Sequence, residues 1–536
     1  MGVPALAMLG IGLWGLDRGG IWRDEAVTFQ VGRRTVPQIW RLLHEVDAVH
    51  GLYYLLMHAV LAVHPGEVAL RLPSVCAAAV TAALVAALGA RLVRARAGLW
   101  AGLLYAVTPM AGHYAQEGRS YALVAAGATA ATLLFVRAVQ GGSWWTYGGV
   151  LGFTCWLHEF AVLLLLAHAV TLALARPGAR VWRGWGRAAG VVVLALLPMI
   201  LVSRAQSAQV AWLRRPTADT AEAVLRTFLG PVAGVYWVCL GLAVLGLAGL
   251  VGRRGQVTCA GLALPLMVVP PGALMLVSQL SPLYVDRYVL YALGGAPLLV
   301  AAGAERLTGV VGRAWQGVAV RLRPGVVGRA WPGVVGRGWP GGRRASALSP
   351  APGSARAARS RVVAALTGVL AVGLVLHQQL PLLRADRSPD RRPDDLAAVS
   401  RLAARKLGPG DPVLFLPTQT RNTAITYPGA FRGVRDVALL EGAAESGTLY
   451  GREAGPLELR RGLARLDRVW VVADRAMLDG RWVPGNPVER AKLAVLTQEF
   501  DQGPQAVRDG MAVRLYVRRT SGLRLLAPMR PRPGRR

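Results

Sequence analysis

The stretch LPSVCAAAVTAALVAALGA, residues 72–90, contains no charged side chain. A run of this length is sufficient for a helix that crosses a lipid bilayer. The runs at 121–136 and 232–251 are also uncharged. Across the 536 residues, 54% are hydrophobic and only 17% are charged, whereas a soluble domain carries about a quarter of charged residues. These features predict a polytopic α-helical membrane protein.

Many of the positively charged residues come directly after the apolar runs in the sequence. The formal net charge is +32, and Lys406 and Lys492 are the only lysines, so arginine supplies nearly all of it. Arginines between spans set membrane orientation, because basic loops stay in the cytoplasm. This explains the charge better than nucleic-acid binding. Placing the basic segments inside gives an internal N-terminus and about eleven spans. The arginines used are Arg91, Arg94, Arg96, Arg137, Arg176, Arg180, Arg183, Arg187, Arg253 and Arg254.

The same threading places a defined set of segments outside the membrane. They are residues 17–70, 113–120, 158–159, 204–228 and 281–287. Residues 3–16 are interpreted as an uncleaved first span, since no basic region precedes them and no A-x-A site follows. The four cysteines all lie in apolar runs, which favours buried core positions over disulfides or metal ligands.

The predicted domain organisation has five parts. Residues 1–303 form a transmembrane module, 304–361 a basic cytoplasmic loop, and 362–383 the last span. Residues 384–519 form a small extracytoplasmic α/β domain, and 520–536 a disordered basic tail. The loop is predicted from its low complexity, with GVVGRAWQ, GVVGRAWP and GVVGRGWP at 309, 325 and 333.

Short patterns define the predicted α/β domain. DPVLFLP (411–417) and RVWVVAD (468–474) are apolar runs typical of buried strands. MAVRLYVRR (511–519) alternates as an exposed strand does, whereas AKLAVLTQEF (491–500) has a helical pattern. DDLAAVSRLAARKLG (394–408) begins with an aspartate suited to cap a helix.

Ionisable residues of the transmembrane module concentrate in the outer segments. Such residues are costly near a bilayer unless they pair or line a wet cavity, so a shared site is expected. A carboxylate can take a proton from an acceptor hydroxyl, and arginines can stabilise a departing phosphate. This combination of carboxylates and arginines suits sugar transfer from a lipid phosphate. The residues are Asp24, Glu25, Asp47, His50, His113, Gln116, Glu117, Arg119, Asp286 and Arg287.

Five motifs carry a resemblance to a known family. They are WRDEA (22–26), HGLYYLLMH (50–58), LRLPS (70–74), YAQEGRSYAL (114–123) and DRYVLYAL (286–293). In this order and spacing the chain resembles the GT-C membrane glycosyltransferases, in particular family 39. That group includes protein O-mannosyltransferases and lipid A aminoarabinose transferases. The C-terminal domain resembles those of actinobacterial members.

The resemblance implies a function and a site. The protein would lie in the plasma membrane, with its active site outside. It would transfer a sugar, with mannose preferred, from a polyprenyl-phosphate donor to a protein, glycolipid or polysaccharide, with inversion. Asp24 would be the base and Glu25 a supporting carboxylate. Glu117 and Arg119 would help shape the donor site and Arg287 would contact its phosphate. Substrate-binding candidates are Asp47, His50 and Tyr53.

Other interpretations remain at this stage. A transporter or lipid flippase also has many spans and intramembrane charges. Transporters often have duplicated halves with broken helices in corresponding positions, and the sequence shows no such duplication. An inactive scaffold with the same fold is a third alternative, disfavoured by the intact acidic pair. His158 and Glu159 do not complete H-E-x-x-H, because residue 162 is valine. No metal ligands are therefore assigned, and the need for a divalent metal stays open.

Overall fold

In the computed structural model, the chain is predominantly helical. The structure describes residues 1–210, 212–321, 352–388, 394–482, 484–508 and 510–519. In these ranges the helices are α1 Gly2–Leu13, α2 Arg23–Gly32, α3 Val36–Glu45, α4 Gly51–Val63, α5 Glu67–Leu92, α6 Ala95–Val107, α7 Pro109–Ala115, α8 Tyr121–Val139, α9 Trp144–Leu157, α10 Leu164–Ala175, α11 Ala179–Ala205, α12 Ala218–Leu229, α13 Ala233–Gly246, α14 Cys259–Val277, α15 Gly295–Arg321, α16 Pro352–Asp386, α17 Leu396–Ala404, α18 Asn422–Thr426, α19 Pro456–Ala464, α20 Arg475–Leu478 and α21 Pro487–Glu499. Short 3-10 turns occur at Ala48–His50, Glu159–Leu163, Ser207–Val210, Asp286–Gly294, Thr418–Arg421 and Pro428–Phe431.

Six helical segments of the described chain are long and apolar enough to cross a membrane, or seven if the bent pair α12–α13 is one span. The predicted polytopic helical architecture is confirmed, but the count of eleven spans is not. Several segments expected to cross form shorter helices: α1, α6, α9 and α10 have 12, 13, 14 and 12 residues. At 1.5 Å per residue, each falls short of the hydrocarbon thickness of about 30 Å.

The chain divides into two compact units. The first contains Met1–Asp17, Asp47–Tyr53 and Val68–Arg387, and the second contains Arg18–Val46, Tyr54–Glu67 and Ser388–Arg536. The five predicted domain boundaries stay predictions. Of the predicted basic loop, residues 322–351 lie outside the described residues, as does the predicted tail 520–536. Helices α15 and α16 reach the two ends of that undescribed segment.

Small residues allow the helices of the first unit to pack closely. A Cβ atom added at Gly98 of α6 would overlap the carbonyl oxygen of Ala86 in α5. One added at Gly303 of α15 would overlap the carbonyl oxygen of Leu242 in α13. In lipid, helices associate through such close backbone approach, because apolar burial alone provides little driving force. The glycines therefore hold α5 and α6 together, and likewise α13 and α15.

The second unit contains a five-stranded mixed sheet in the order β2-β1-β5-β7-β6. β1 is parallel to β2 and β5, whereas β5, β7 and β6 are antiparallel neighbours. A separate antiparallel pair joins β3 and β4. The predicted α/β domain and its strands are confirmed. The strands are β1 Pro412–Leu416, β2 Arg435–Asp436, β3 Leu439–Glu441, β4 Arg452–Glu453, β5 Arg468–Asp474, β6 Phe500–Arg508 and β7 Met511–Arg518.

The predicted helices of this domain are also present. Asp395 caps α17 by accepting a hydrogen bond from the backbone N–H of Ala398 at 3.0 Å, as the sequence indicates. Helix α21 covers most of the predicted 491–500 segment. Its Val495 and Leu496 are buried in a core with Val469 and Val471 of β5 and Leu414 of β1. The alternation of buried residues in β5 thus matches a sheet covered by helices.

Residues of the first loop pack within the second unit, which the sequence did not indicate. The backbone N–H of Ile21 donates to the Tyr427 hydroxyl at 3.1 Å. Gln30 Nε2 of α2 donates to Asn422 Oδ1 of α18 at 3.0 Å. A guanidinium N–H of Arg34 donates to the carbonyl oxygen of Thr448 at 2.9 Å. The acidic segment at 22–26 is therefore carried on the C-terminal α/β domain.

Buried charges support the sheet of this unit. The Lys492 ammonium is fully buried and lies 2.7 Å from Glu453 Oε1. Arg421 donates to Glu453 and to Asp436 Oδ2, the latter at 2.6 Å. Burial opposes ionisation of Glu453, but the adjacent Lys492 and Arg421 charges outweigh it and lower the pKa of its carboxyl. Paired in this way, the four groups tolerate removal from water.

Candidate active site

The turn that carries Glu117 and Arg119 joins α7 to α8 and is held at both ends by buried hydrogen bonds. The Gln116 amide donates to the carbonyl oxygens of Gly12 and Trp14, each at 2.8 Å. These carbonyls end helix α1, where backbone acceptors lack partners within the helix. Gln116 thus joins the turn to the end of the first helix.

The LRLPS motif of α5 forms the support of this turn. Ser74 Oγ contacts the carbonyl oxygens of Glu117 at 2.6 Å and Arg119 at 3.2 Å. The Arg71 guanidinium donates to the carbonyl oxygen of Leu16 at 3.1 Å and is fully buried. Arg71 is therefore enclosed by protein and is not exposed at the membrane surface. A buried arginine instead satisfies backbone acceptors that the packed turn removes from water.

Replacement of Ser74 tests whether the turn needs this support. In Ser74→Ala we expect sugar transfer to fall about fivefold to tenfold, because a net hydrogen bond contributes about 1 kcal/mol and the turn can shift. The initial transfer rate in membranes measures the effect. The matched control is Thr129→Ala, since that buried hydroxyl bonds only to the carbonyl of Ala125 in its own helix. Equal rates in the two variants would contradict the support role.

Two arginines and two histidines meet around Tyr121 in the first unit. An Arg119 N–H donates to His50 Nε2 at 2.8 Å, and Arg287 Nε donates to the Tyr121 hydroxyl at 3.2 Å. The ring of His158 lies 5.9 Å from that of His50 and 5.8 Å from that of Tyr121, measured between centroids. We call His50, Arg119, Tyr121, His158 and Arg287 the arginine–histidine cluster.

The cluster is a buried, positively charged site. Arg119 and the two histidines are less than a tenth exposed. Burial, followed by the charges of Arg119 and Arg287, lowers the pKa of His158 to about 3. His158 is therefore neutral at physiological pH, while both arginines keep their charge. The buried Arg119 and the partly buried Arg287 can together stabilise an anion, and their planar donors suit phosphate oxygens.

Carboxylates lie beside the cluster. Burial raises the pKa of the Tyr114 hydroxyl, and the negative charges of Asp286 and Glu117 raise it further. The ring of Tyr114 is 5.8 Å from that of Tyr121. Asp286 Oδ1 accepts the backbone N–H of Arg287 at 2.8 Å, which orders the start of the 3-10 turn. Glu117 and Asp286 thus lie close enough to Tyr114 for their charges to affect its hydroxyl.

An apolar cavity of about 280 Å³ lies next to this site. It is bounded by Val224 and Phe228 of α12 and by Tyr284 and Asp286 ahead of the 3-10 turn. Its walls are mainly hydrophobic, with the carboxylate of Asp286 at one edge. The cavity therefore offers space for an apolar group beside Arg287.

Asp24 and Glu25 lie in the first turn of α2 in the second unit. Backbone N–H groups at a helix N-terminus favour negative charge, so this position suits an ionised carboxylate. Glu25 is fully buried, whereas Asp24 is partly exposed. The neighbouring Arg23 donates to Asp394 Oδ2 at 2.7 and 3.1 Å. Arg23 thereby fixes the start of α2 next to Asp24.

The other predicted residues fall into different roles. Asp47 has a left-handed backbone with φ 59° and precedes the 3-10 turn that presents His50. Tyr53 and Tyr54 are fully buried in the protein. His113 Nδ1 lies 2.8 Å from Asp386 Oδ1 of α16, which gives it a structural partner. In the described residues, no three potential metal ligands are grouped.

Two members of the cluster were missed by the sequence reasoning. His158 was considered only as part of a zinc motif, and Tyr121 only as the start of a span. One feature of the sequence did point to His158. The assignment of spans places residues 158–159 outside the membrane, on the same side as His50 and Arg119. Ring contacts of His158 with Tyr288 and Phe160, at 4.8 and 5.5 Å, complete the aromatic surroundings.

The comparisons with known proteins agree with this architecture. Residues 51–203 match a family model described as dolichyl-phosphate-mannose-protein mannosyltransferase. No curated protein sequence matches significantly. The chain is similar to ArnT from Cupriavidus metallidurans in the apo state, with TM-score 0.58, 16% identity, and 96% of this chain and 97% of that chain covered.

Two further solved structures are similar. ArnT from Cupriavidus metallidurans bound to undecaprenyl phosphate gives TM-score 0.52 and 15% identity, over 97% of this chain and 98% of that chain. Arabinosyltransferase EmbB from Mycobacterium smegmatis gives TM-score 0.36 and 18% identity, over 80% of this chain and 41% of that chain; that score is too low to support an argument. The family-model match over residues 51–203 and the ArnT-like fold agree with the resemblance to GT-C membrane glycosyltransferases.

Proposed function

We propose that this protein transfers a sugar from a polyprenyl-phosphate donor to an extracytoplasmic acceptor, with inversion at the anomeric carbon. The observation that carries the proposal is the arginine–histidine cluster, in which Arg119 and Arg287 both lie near the buried Tyr121. A departing lipid phosphate gains negative charge as its bond to the sugar breaks. Donors placed in advance at that position are usually the largest contribution to catalysis.

Each predicted site residue of the first unit has a role in this proposal. Arg119 and Arg287 bind the donor phosphate, and Glu117 shapes the donor site. His50 accepts a hydrogen bond from Arg119 and so orients its guanidinium. The apolar cavity beside Asp286 receives the first part of the prenyl chain. Asp47 and Tyr53 hold the segment that presents His50.

In the second unit, Asp24 is the proposed base. Its carboxylate takes the proton of the acceptor hydroxyl while that oxygen attacks the anomeric carbon. The bond between this carbon and the phosphate oxygen breaks, and the phosphate leaves with the electron pair. Glu25 is the supporting carboxylate. The support for Asp24 is its motif, its helix N-terminal position and its partial exposure.

Two kinds of similarity support the donor class. ArnT, whose fold this chain shares, has been solved bound to undecaprenyl phosphate. The matching family model is described by a mannosyl donor, dolichyl-phosphate-mannose, which supports mannose as the proposed sugar. We place the protein in the plasma membrane, with the cluster and the α/β domain on the outer face. The proposed acceptor is a protein, glycolipid or polysaccharide of the cell envelope.

A transfer assay with defined donors tests the proposal. Purified protein in liposomes receives decaprenyl phosphates that carry either radiolabelled mannose or radiolabelled arabinose, together with an extract of cell-envelope acceptors. We expect label to move from the mannosyl donor to a non-lipid or glycolipid product. Transfer from the arabinosyl donor alone would reject mannose but retain the donor class.

The same liposomes separate the enzyme from the transporter alternative. If labelled donor crosses the bilayer and stays intact, the protein moves lipid and does not transfer sugar. The ArnT-like fold and the family-model match already favour transfer. An absence of product from both donors and from all acceptor fractions, with correctly folded protein, would contradict the proposed function.

A further inference from the structure

A cavity between α5, α14 and α15 lies at the other end of the first unit from the arginine–histidine cluster. It has a volume of about 640 Å³, in the range of ligand sites. Leu92 at the end of α5 lines it, whereas Ser74 near the start of α5 supports the cluster. Eighteen residues of helix separate the two positions, or about 27 Å. This is close to the thickness of a bilayer core.

The cavity has a basic rim and an apolar floor. Arg94, Arg306 and Gln256 stand at the rim, and Cys259 and Ala302 lie buried at the floor. Both floor residues belong to helices of membrane-spanning length, α14 and the Asp286–Val311 segment. A phosphate group bound at the rim would thus have an apolar surface beneath it. This combination suits a molecule with an anionic head and a hydrocarbon tail.

The charged side chains at the rim give the cavity a net positive charge. Glu305 is the one acidic lining residue, and Arg96 pairs with it at 2.5–2.6 Å through two N–H groups. Arg94 lies 3.1 Å from the same carboxylate. Arg306 donates one N–H to the carbonyl oxygen of Leu245 at 2.9 Å, and a guanidinium has five such donors. Arg94 and Arg96 therefore share the Glu305 carboxylate, and Arg306 adds a further positive charge to the lining.

We infer that this cavity binds the phosphate headgroup of an anionic phospholipid. Basic pockets between transmembrane helices bind such headgroups on the cytoplasmic side. The arginines that the positive-inside rule places in the cytoplasm, Arg91, Arg253 and Arg254, lie on the segments that form or adjoin this cavity. The inference concerns a site separate from the one proposed for sugar transfer and does not depend on it.

The test compares two double variants of the full chain in nanodiscs. Arg94→Gln with Arg306→Gln removes two charges from the rim. Arg253→Gln with Arg254→Gln removes two exposed charges that do not line the cavity. Thermal unfolding is measured in phosphatidylcholine discs with increasing phosphatidylglycerol. We expect the half-saturating phosphatidylglycerol fraction to rise about tenfold in the rim variant and less than twofold in the control.

Two outcomes would overturn the inference. Equal shifts in both double variants would show that anionic lipid acts through general charge. Equal stabilisation by glycerol 3-phosphate in pure phosphatidylcholine discs would show that the site takes a soluble phosphate. If the rim variant does not fold, Gln256→Glu replaces it, because this exposed position adds a negative charge at the rim. Lipid affinity unchanged in that variant would also contradict the site.

Discussion

Arg119→Gln is expected to reduce the rate of sugar transfer about 10²- to 10³-fold at saturating donor. The loss follows because removal of one preorganised donor to a developing negative charge costs about this factor. Arg287→Gln should have an effect of the same order, since its guanidinium also lies near Tyr121, 5.9 Å from the ring centroid. Lysine at position 119 should restore part of the rate, because it supplies charge but lacks the planar pair of donors.

The matched control for this prediction is Arg91→Gln. Arg91 is an exposed arginine in the last turn of α5, where its guanidinium donates to Gln140 Oε1 at 3.1 Å. Arg91→Gln changes the net charge of the protein by the same amount as Arg119→Gln, but at the other end of the helix bundle. Initial rates in liposomes are measured at several donor concentrations. They separate an effect on donor binding from an effect on the chemical step. Rates within threefold of wild type in both Arg119→Gln and Arg287→Gln would reject the phosphate-binding role.

Asp24→Asn is expected to lower transfer about 10²- to 10⁴-fold, the range for loss of a general base. Asparagine has the same shape but cannot accept the hydroxyl proton, so donor affinity should stay within about twofold. Asp24→Glu should also be slow, because a displaced catalytic group can cost about a hundredfold. Single-turnover transfer, with donor binding measured separately, tests both expectations.

The controls for Asp24 use its neighbours. Asp394→Asn removes a carboxylate that binds Arg23 and leaves Asp24 in place. Its transfer rate should stay within about fivefold of wild type, since a partly exposed ion pair contributes little. If Asp24→Asn is no slower than Asp394→Asn, the base is a different group, and Glu117 becomes the next carboxylate to test.

The prediction for Arg119 and Arg287 and the prediction for Asp24 rest on different kinds of observation. The arginine prediction rests on contacts within the first unit, where Arg119, His50, Tyr121 and Arg287 form one connected set. The Asp24 prediction rests on a motif and on the N-terminus of α2. A result that supports the arginines and not Asp24 would therefore retain the donor site and change only the identity of the base.

Periodicity and composition were sufficient to predict the membrane fold and the strands of the α/β domain. Strands β5 and β7 occupy the predicted ranges almost residue for residue. An uncharged run of spanning length has few alternatives to a membrane helix, because its backbone must be satisfied internally in lipid. The span count was not predictable, because short and bent helices such as α1 and the α12–α13 pair depend on their neighbours.

The sequence by itself determined which side chains are available, namely the acidic pair, the E-G-R turn and Arg287, together with their order along the chain. Only the tertiary structure decided which of them meet. It brought His158 beside His50 and Tyr121, buried Arg71 under the turn, and grouped the first loop with the C-terminal domain. These contacts join positions far apart in sequence. They depend on helix packing and on buried hydrogen bonds, which leave no local periodicity to detect.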